Sequence, residues 1–539
     1  MNAAKEAERF AMGLCAAAFV LLAGFAVFFV PMNMDEAGIY HVLACFDYPF
    51  APQHVFREAC NARHDLTTPL GFYVTRSEFY VGIFHSVLYA PVYFLFHSPA
   101  GQYGFGLAFL GGFAFLLARL AVNPRLSLAL TLAFFPFTIQ FVHDTGPVSF
   151  ATLVFPLGAL LFRRMMRSGP PLPRHGYAAL LALLVFLGVE EKIFFLFLLP
   201  SFILFCLAFA AGDGNGGDAE RDLRGLTRRL ETARAPIASF LALAFAGIMF
   251  WLLSTNTAGN TYLEWLMKIA EGSPVPFAGR LGAFAQAMLF WPFFAHKYFV
   301  LDAAEAFPML LQAGIFSFMA FCLTVAWKNR DKDGCRALLL ALSFGAGALC
   351  LLLTPNSSAG HHFIFLWVPL LALLNDALAR LKPPAMLAAA GFFCALNLAC
   401  ALFLTQMPVN PESARDKDAI FARFNAEDSA SGSIVNFASW GGYYIQALYG
   451  PKNQLVTYTE PYMAEDQRPL PILPGEAAAL LDLSAATKRR LYNICAGRLC
   501  SRASMQTAFG NRARIEEIMP GLATWRVFEA IPVAKSPEK

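Results

Sequence analysis

The stretch AMGLCAAAFVLLAGFAVFFVPMNMDEAGIY, residues 11–40, joins an uncharged apolar run to two adjacent carboxylates. A helix that spans a bilayer needs about 20 mainly apolar residues, and residues 11–31 supply them. The run is too long for a secretory signal and lacks a small-residue cleavage site, so we expect an uncleaved anchor. Asp35 and Glu36 then fall where this helix leaves the membrane, where charge is costly unless it has a function.

The composition identifies a membrane protein. The chain has 539 residues, of which 57% are hydrophobic and 14% charged, whereas soluble domains carry about 25% charged residues. The net charge of +4 is small, and the basic residues are scattered between apolar runs. This pattern gives no indication of a nucleic-acid-binding protein.

Apolar runs of spanning length recur along the chain. About 11 are present, and they cover residues 11–31, 104–122, 126–142, 148–162, 177–189, 193–211, 237–254, 308–327, 336–354, 363–379 and 385–405.

Two further apolar runs, 79–97 and 281–301, are better interpreted as interfacial or re-entrant helices. Counting 79–97 as a span would place RRMMR (163–167) on the outer side, and counting 281–301 would do the same to KNRDKDGCR (328–336). Cytoplasmic loops carry the excess of Lys and Arg. We therefore expect a cytoplasmic N-terminus, both runs on the outer face, and a C-terminal segment outside.

The chain divides into two predicted domains. Residues 1–405 form a polytopic membrane domain with a long first outer loop, 32–103, and hydrophobic density falls in residues 406–539. In this tail SIVNFA (433–438) has a strand pattern and GGYYIQALYG (441–450) a helix pattern. We predict an α-helical polytopic membrane protein with a small C-terminal extracytoplasmic α/β domain.

Four cysteines form two local couples in the segments predicted to lie outside. They are Cys45 with Cys60 and Cys495 with Cys500. An oxidising compartment permits disulfides, so we predict bridges 45–60 and 495–500. Unpaired cysteines are the alternative.

The segment QFVHDTGPVSF (140–150) leaves one apolar run and enters the next, with His143 and Asp144 at its apex. Two separate turns, this one and the one that carries Asp35 and Glu36, therefore each bring a carboxylate to the outer interface. The alternative in both places is helix capping, because Asp is a good N-cap residue.

The segment FLGVEEKIFF (187–196) holds Glu190, Glu191 and Lys192 inside an otherwise uncharged run. Such charges must reach water, a cavity or each other. One interpretation is an internal ion pair at a short outer turn. The other directs Lys192 toward an anionic ligand in a cavity that opens outward.

The segment TPNSSAGHHFIFLW (354–367) begins the tenth span with His361 and His362. Their ring N–H groups could contact a phosphate, although interfacial His residues at helix ends are also common. No compact zinc-type ligand spacing is present in the sequence, and no metal ligand is predicted.

These features together resemble a known family. DEAGIY (35–40) matches the pattern D-E-A-x-x-Y after a first span, a long outer loop follows it, and Asp144 is a second acidic residue after the third span. The chain resembles the GT-C fold glycosyltransferases, in particular the bacterial relatives of protein O-mannosyltransferases and of the lipid A aminoarabinose transferase. The tail segment NFASWGGYYIQALYG (436–450) is also similar to extracytoplasmic domains of such enzymes.

The resemblance implies transfer, with inversion, from a polyprenyl-phosphate-linked sugar to a hydroxyl of a glycan, lipid or protein. It implies that Asp35 is the base, with Glu36 beside it, and that Asp144 orients the acceptor or the base. Tyr40 of the motif would bind substrate. The implied location is the bacterial inner membrane, with a periplasmic C-terminal domain, and no cofactor is implied, a divalent metal being left open.

The chain departs from the family pattern in three places. His143 stands where relatives often have another basic residue before the second acid. The sequence EEKI replaces T-K-G-P and keeps only Lys192, and His361–His362 replaces an Arg-Tyr pair. We predict that Lys192 and the three histidines, with Glu190 and Glu191, form the substrate- and phosphate-binding set.

Other functions fit parts of the pattern. A lipid or glycan transporter would place charges and broken helices in mid-bilayer, whereas these charges cluster at one face. A polysaccharide ligase or polymerase with a lipid-diphosphate donor usually has several Arg in large outer loops, and here the first loop has Arg57, Arg63 and Arg76. A non-catalytic assembly protein is the third alternative.

Overall fold

The computed structural model describes most of the chain. The described residues are 2–32, 40, 43–44, 51, 84–167, 170–192, 194–211, 219–254, 276–301, 306–329, 335–354, 360–409, 419–420, 423–424, 432–438, 440–450, 452–459, 462–463, 469–496, 500–522 and 525–533.

Residues up to 405 are almost entirely helical where they are described. The helices are α1 Asn2–Phe28, α2 Phe84–Phe96, α3 Pro99–Ala118, α4 Pro124–Leu132, α5 Phe135–His143, α6 Pro147–Met166, α7 Pro171–Glu191, α8 Phe194–Ala211, α9 Ala219–Thr232, α10 Arg234–Ser254, α11 Phe277–Leu289, α12 Ala306–Lys328, α13 Arg336–Leu353, α14 Ile364–Ala379 and α15 Pro383–Thr405. Short 3₁₀ helices lie at Trp291–Ala295 and Gly360–Phe363.

Eight of these helices are long and apolar enough to cross a membrane: α1, α3, α6, α7, α12, α13, α14 (from His361) and α15. The count rises to 10 if the bent pairs α4–α5 and α9–α10 each form one span. Helix α8, which corresponds to the predicted span 193–211, belongs to the shorter apolar helices. The predicted class of a multi-pass helical membrane protein is thus confirmed.

The two runs predicted to be interfacial form helices too short to cross a bilayer. Helix α2 lies in the run 79–97 and α11 begins near the run 281–301, and each has 13 residues. Thirteen residues extend about 20 Å as an α-helix, against a hydrocarbon core of about 30 Å. Helix α11 is followed at once by the 3₁₀ turn Trp291–Ala295.

The run 126–142, predicted as the third span, is broken in the middle. Helices α4 and α5 meet at an angle of 65°, and Pro136 in the first turn of α5 has no backbone N–H to continue the helix. The freed groups find partners: Asn397 of α15 accepts a hydrogen bond from the Phe135 N–H at 2.6 Å. Thr138 donates to the carbonyl of Leu132 at 3.2 Å. Because hydrocarbon offers no partner to backbone groups, these bonds stabilise the break. The break sets the direction of α5, which ends at His143 just before Asp144.

Replacing Asn397 by Leu is expected to lower the free energy of unfolding by about 1–3 kcal/mol, because the Phe135 N–H loses its acceptor in an apolar environment. Thermal unfolding in detergent measures the effect. Thr405→Val, in the same helix, removes an exposed hydroxyl that binds the Leu402 carbonyl and should leave the melting temperature unchanged. Equal melting of both variants and the wild type would contradict this account of the break.

The C-terminal segment contains a five-stranded sheet. Its elements are β1 Ser433–Phe437, α16 Trp440–Tyr449, β2 Leu455–Tyr458, β3 Tyr462–Met463, β4 Pro469–Leu470, α17 Pro474–Thr487, β5 Arg490–Ala496, α18 Arg502–Phe509, β6 Ala513–Glu517 and β7 Trp525–Pro532. The strand order is β2-β1-β5-β7-β6, and β3 pairs with β4 separately.

Strand β1 pairs in parallel with β2 on one side and with β5 on the other, whereas β7 runs antiparallel to β5 and β6. The predicted strand 433–438 and helix 441–450 are present as β1 and α16, with β2 following them, and the small α/β domain is confirmed. The segment contacts the first loop through a backbone hydrogen bond from Ala51 N–H to Val456 O at 3.1 Å.

Candidate active site

Asp144 stands between α5 and α6 and does not cap either neighbouring helix with its side chain. The N-cap of α6 is Gly146, without a side-chain cap bond, and Asp144 is the C-cap residue of α5. The capping interpretation of Asp144 is therefore wrong. Its backbone carbonyl accepts a hydrogen bond from Ser149, which fixes the turn and leaves the carboxylate for other contacts.

The carboxylate of Asp144 pairs with Lys297. The distance from Lys297 Nζ to Asp144 Oδ2 is 3.8 Å, and the side chains of Lys297 and Asp144 are 13% and 10% exposed. Lys297 follows the 3₁₀ turn Trp291–Ala295, and the chain beyond it is fixed by a backbone bond from Val300 to Pro408 at 2.9 Å. Because two opposite charges share this poorly solvated position, each offsets part of the other's cost of burial.

His143 fastens the turn to the end of α1. Its Nε2 donates to the carbonyl oxygen of Ala26 at 2.7 Å. The ring lies between those of Tyr103 and Tyr298, with centroid distances of 5.0 and 5.1 Å. This fully buried side chain therefore holds Asp144 in position, and its Nε2, bonded to the protein backbone, is not available for the substrate contact predicted for His143.

Tyr40, the last residue of the D-E-A-x-x-Y motif, lies beside the same turn. Its hydroxyl is hydrogen-bonded to the side chain of Thr145, and Asp144 and Glu191 act on it electrostatically. Burial raises the pKa of Tyr40 well above the ordinary value for a phenol, against a lowering contribution from the Thr145 bond. Tyr40 is therefore a neutral hydroxyl at physiological pH.

Five basic side chains lie close together, and we call them the basic cluster: Lys192, His296, Lys297, His361 and His362. Lys297 connects this cluster to Asp144. Both lysines and the other two histidines act electrostatically on His361. The rings of His361 and His362 are 4.1 Å apart. The cluster unites residues from the ends of α7 and α14 with the turn after α11, as an anion-binding site requires.

Glu191 makes a buried contact with His85 of α2. One carboxylate oxygen is 2.6 Å from the ring Nδ1, and the other accepts the backbone N–H of His85 at 3.1 Å. Both side chains are fully buried. Since that N–H belongs to the first turn of α2, Glu191 both pairs with the imidazole and satisfies a helix N-terminus. It thereby connects the short helix α2 to the end of α7.

Other predicted positions have simpler outcomes. Glu190 is partly buried at the end of α7. Cys495 in β5 and Cys500 just before α18 are joined in a disulfide, as predicted. Asp35, Glu36, Cys45 and Cys60 lie outside the described residues, so the roles and the 45–60 bridge predicted for them stay predictions.

Three residues of the site, His85, His296 and Lys297, were not among the predicted candidates. Each is a basic residue inside one of the two apolar runs, 79–97 and 281–301, that the charge distribution assigns to the outer face. The rule that singled out Lys192, a charge within an apolar run, would have found them. No group of three His, Cys, Asp or Glu side chains that could hold a metal occurs within the described part of the chain.

No protein-family model and no curated protein matches the chain. Among solved structures, it is similar to the archaeal oligosaccharyltransferase AglB from Archaeoglobus fulgidus in complex with an inhibitory peptide and a dolichol-phosphate. The identity is 12% and the TM-score 0.39, over 97% of this chain and 75% of that one.

Two more solved structures from Archaeoglobus fulgidus are similar. An oligosaccharyltransferase tethered with an acceptor peptide containing the NVT sequon has 12% identity and a TM-score of 0.37, over 89% of this chain and 68% of that one. A complex of the oligosaccharyltransferase with Zn and sulfate has 12% identity and a TM-score of 0.38, over 94% and 72%. These scores are too low to assign an activity, which must be inferred from the residues of this chain.

Proposed function

We propose that the chain is an inverting membrane glycosyltransferase of the GT-C type. It moves a sugar from a polyprenyl-phosphate donor to a hydroxyl acceptor at the outer face of the membrane. The observation that carries the proposal is the pair of Asp144 and Lys297, largely shielded from solvent, which joins a carboxylate to the basic cluster at the end of the helical bundle where α5 and α7 finish. A carboxylate and a concentrated positive charge are the two groups that this reaction needs.

The chemical step requires a base and a stabilised leaving group. Asp35, assigned as base by its motif, takes the proton of the acceptor hydroxyl while that oxygen attacks the anomeric carbon. The bond from the anomeric carbon to the phosphate oxygen breaks, and its electron pair leaves with the polyprenyl phosphate. Asp144 orients the acceptor or the base. A positioned base, here Asp35, contributes about 10²- to 10⁴-fold to the rate.

The basic cluster acts on the phosphate. Lys192 and Lys297 supply point charges, and His361 and His362 supply ring donors. Preorganised positive groups stabilise charge that develops on the leaving phosphate without reorganisation during the reaction. Glu191, engaged with His85, keeps α2 against the bundle, so we assign it a positioning role rather than a contact with the substrate.

The orientation follows from the distribution of Arg and Lys. The loops at the opposite end of the bundle from Asp144 include RRMMR (163–167), Arg119, Arg125, Arg380 and Lys382. Such loops face the cytoplasm. We therefore propose that the basic cluster and the C-terminal domain are on the periplasmic side of the bacterial inner membrane.

The alternatives are a ligase or polymerase that uses a lipid-diphosphate donor, and a transporter. The basic cluster could accept a diphosphate as well as a monophosphate, so the choice of donor needs a direct test. A transporter is less consistent with the site, because Asp144, Lys297 and Lys192 are at one end of the bundle and not at mid-bilayer.

A donor panel tests the function. Purified protein in nanodiscs is supplied with radiolabelled mannose, glucose, galactose or 4-amino-4-deoxyarabinose linked to undecaprenyl phosphate, and with the diphosphate-linked forms. Cell-envelope material from a strain that lacks the gene serves as acceptor. We expect label transfer from one monophosphate donor. Transfer from the diphosphate form alone would select the ligase alternative, and no transfer from any donor would reject the proposal.

Replacing Lys192 by Met is expected to weaken the binding of undecaprenyl phosphate about 10- to 100-fold, because a charge-assisted contact to the phosphate is lost. Microscale thermophoresis of the detergent-solubilised protein measures the affinity. Undecaprenol, which has the same chain without the phosphate, should bind the variant and the wild type equally. Lys488→Met, at the exposed C-cap of α17, is the matched control, and an equal loss there would contradict a specific role for Lys192.

A further inference from the structure

Tyr449, the last residue of α16 in the C-terminal domain, reaches into the helical part of the molecule. Its hydroxyl is 2.5 Å from Gln102 Oε1 in the first turn of α3 and 2.9 Å from the hydroxyl of Tyr89 in α2. All three side chains are buried. A phenol has one hydrogen, and the Gln102 oxygen can only accept it, so the Tyr449 oxygen accepts from Tyr89.

The first route from Tyr449 leads to the residue before Asp144. Gln102 Nε2 donates to the backbone carbonyl of His143 at 3.4 Å. That carbonyl can only accept, which fixes the orientation of the Gln102 amide and agrees with its oxygen facing Tyr449. The His143 carbonyl belongs to the peptide group that carries the Asp144 nitrogen. Tyr449 thus acts, through one side chain, on the backbone that aims the carboxylate.

The second route leads to the residue after Asp144. The ring of Tyr89 lies 4.4 Å from that of Tyr40, and the Tyr40 hydroxyl is bonded to the side chain of Thr145. Both neighbours of Asp144 are therefore connected to the same hydroxyl of the C-terminal domain. Burial raises the pKa of Tyr449 well above the ordinary phenol value, so the hydroxyl stays protonated and the donor is permanent.

The segment around Tyr449 is fixed to the outer helices at a second point. The carbonyl oxygen of Gly450, the next residue, lies 3.4 Å from His97 Nε2 at the end of α2. The ring of His97 also contacts that of Tyr449, with centroids 6.4 Å apart. The end of helix α16 is thus held against the connection between α2 and α3. This fixes the direction in which the Tyr449 hydroxyl points toward Gln102 and Tyr89.

We propose that Tyr449 is a positioning residue through which the C-terminal domain sets the geometry of Asp144. The domain is then part of the active site and not an appendage, an inference that rests on the proposed glycosyl transfer. In this proposal Tyr449 contacts neither the acceptor hydroxyl nor the donor sugar. It acts through Gln102 on the His143 peptide and through Tyr89 and Tyr40 on Thr145.

The test uses the full-length protein in nanodiscs and the panel donor that the wild type transfers fastest. Tyr449→Phe removes one oxygen and should lower kcat about 10-fold or more, as small displacements of catalytic groups do, while KM for the donor changes less than about twofold. Gln102→Leu should give a similar loss, and the double variant should be no worse than the more impaired single one, because both interrupt the first route. Tyr492→Phe removes a buried phenol of β5 and should keep the wild-type kcat.

The outcomes separate this inference from the proposed function. If Asp144→Asn loses activity but Tyr449→Phe keeps the wild-type kcat, the positioning role is wrong and glycosyl transfer stands. If Tyr492→Phe loses as much kcat as Tyr449→Phe, the effect is one of domain stability and the inference fails. If neither the wild type nor any variant transfers sugar from the panel, the proposed function itself fails. Gln102→Leu decides the question should Tyr449→Phe melt at a lower temperature.

Discussion

Asparagine in place of Asp144 is expected to lower kcat for sugar transfer at least about 10²-fold. The amide has nearly the same shape as the carboxylate, but it has no charge and presents a donor where the reaction needs an acceptor. Lys297 then loses the negative partner that lies 3.8 Å from its Nζ. The measurement is transfer from the radiolabelled undecaprenyl-phosphate donor, followed at saturating donor.

A matched control and a double variant separate the role of Asp144 from a general effect of charge removal. Asp482→Asn alters a carboxylate that is 70% exposed and paired with Arg512, and it should keep the wild-type rate. Lys297→Met should lower kcat as well, and Asp144→Asn with Lys297→Met should be no worse than Asp144→Asn alone, because coupled groups act as a unit. A rate near wild type for Asp144→Asn would remove Asp144 from the proposed site.

The membrane part of the fold was predictable because hydrophobic length and the distribution of Arg and Lys depend on the sequence alone. Both apolar runs that the charge rule excluded from the spans form helices of 13 residues. The break between α4 and α5 was not predictable. Pro136 marks the place, but the acceptor that stabilises the break is Asn397, which lies 262 residues beyond its donor Phe135.

Some members of the candidate site were predictable, but their contacts were not. Asp144, Lys192 and His361 were identified from their positions in apolar surroundings, and the fold brings them to one end of the bundle. Sequence spacing could not show that Asp144 pairs with Lys297, nor that Glu191 pairs with His85. These pairs depend on how the short outer helices fold back on the bundle, which local patterns do not encode.

The capping interpretation of Asp144 failed for an identifiable reason. An Asp before a Gly-Pro step and an apolar run has the composition of a helix N-terminus. The helix does begin at Pro147, but Gly146 takes the cap position and the side chain of Asp144 turns to Lys297. The local rule thus predicted the helix start correctly but the cap residue wrongly.

Replacing Gly106 by Ala is the second change for which we expect a large effect. Gly106 lies in α3 where this helix crosses α5, and a Cβ there would lie 2.3 Å from the carbonyl oxygen of Phe141 and 2.8 Å from Cα of Val142. It would also lie 2.9 Å from the Thr145 side chain. Because backbone atoms cannot rotate away, the two helices must move apart. Small residues at helix crossings in membranes normally allow the backbones to approach closely.

The separation would act directly on the site because α5 carries Asp144. A displacement of the order of 1 Å costs about 10²-fold in rate when it misplaces a catalytic group, and overpacking lowers the free energy of unfolding by about 1–3 kcal/mol. We therefore expect Gly106→Ala to lose about 10²-fold in kcat with a moderate drop in melting temperature. The two quantities are measured on the same nanodisc preparation.

Gly104→Ala is the matched control, since it makes the same chemical change two residues earlier in the same helix. A Cβ at Gly104 meets no atom within 4 Å, and Ala is favoured over Gly in a helix interior by about 1 kcal/mol. This variant should therefore keep the wild-type kcat and melt at the same or a higher temperature. Equal activity of the Gly104 and Gly106 variants would mean that the contact between α3 and α5 does not set the position of Asp144. In that case the rate would not depend on how neighbouring residues place the turn that carries Asp144. The roles assigned to His143, Gln102 and Tyr449 all require that dependence.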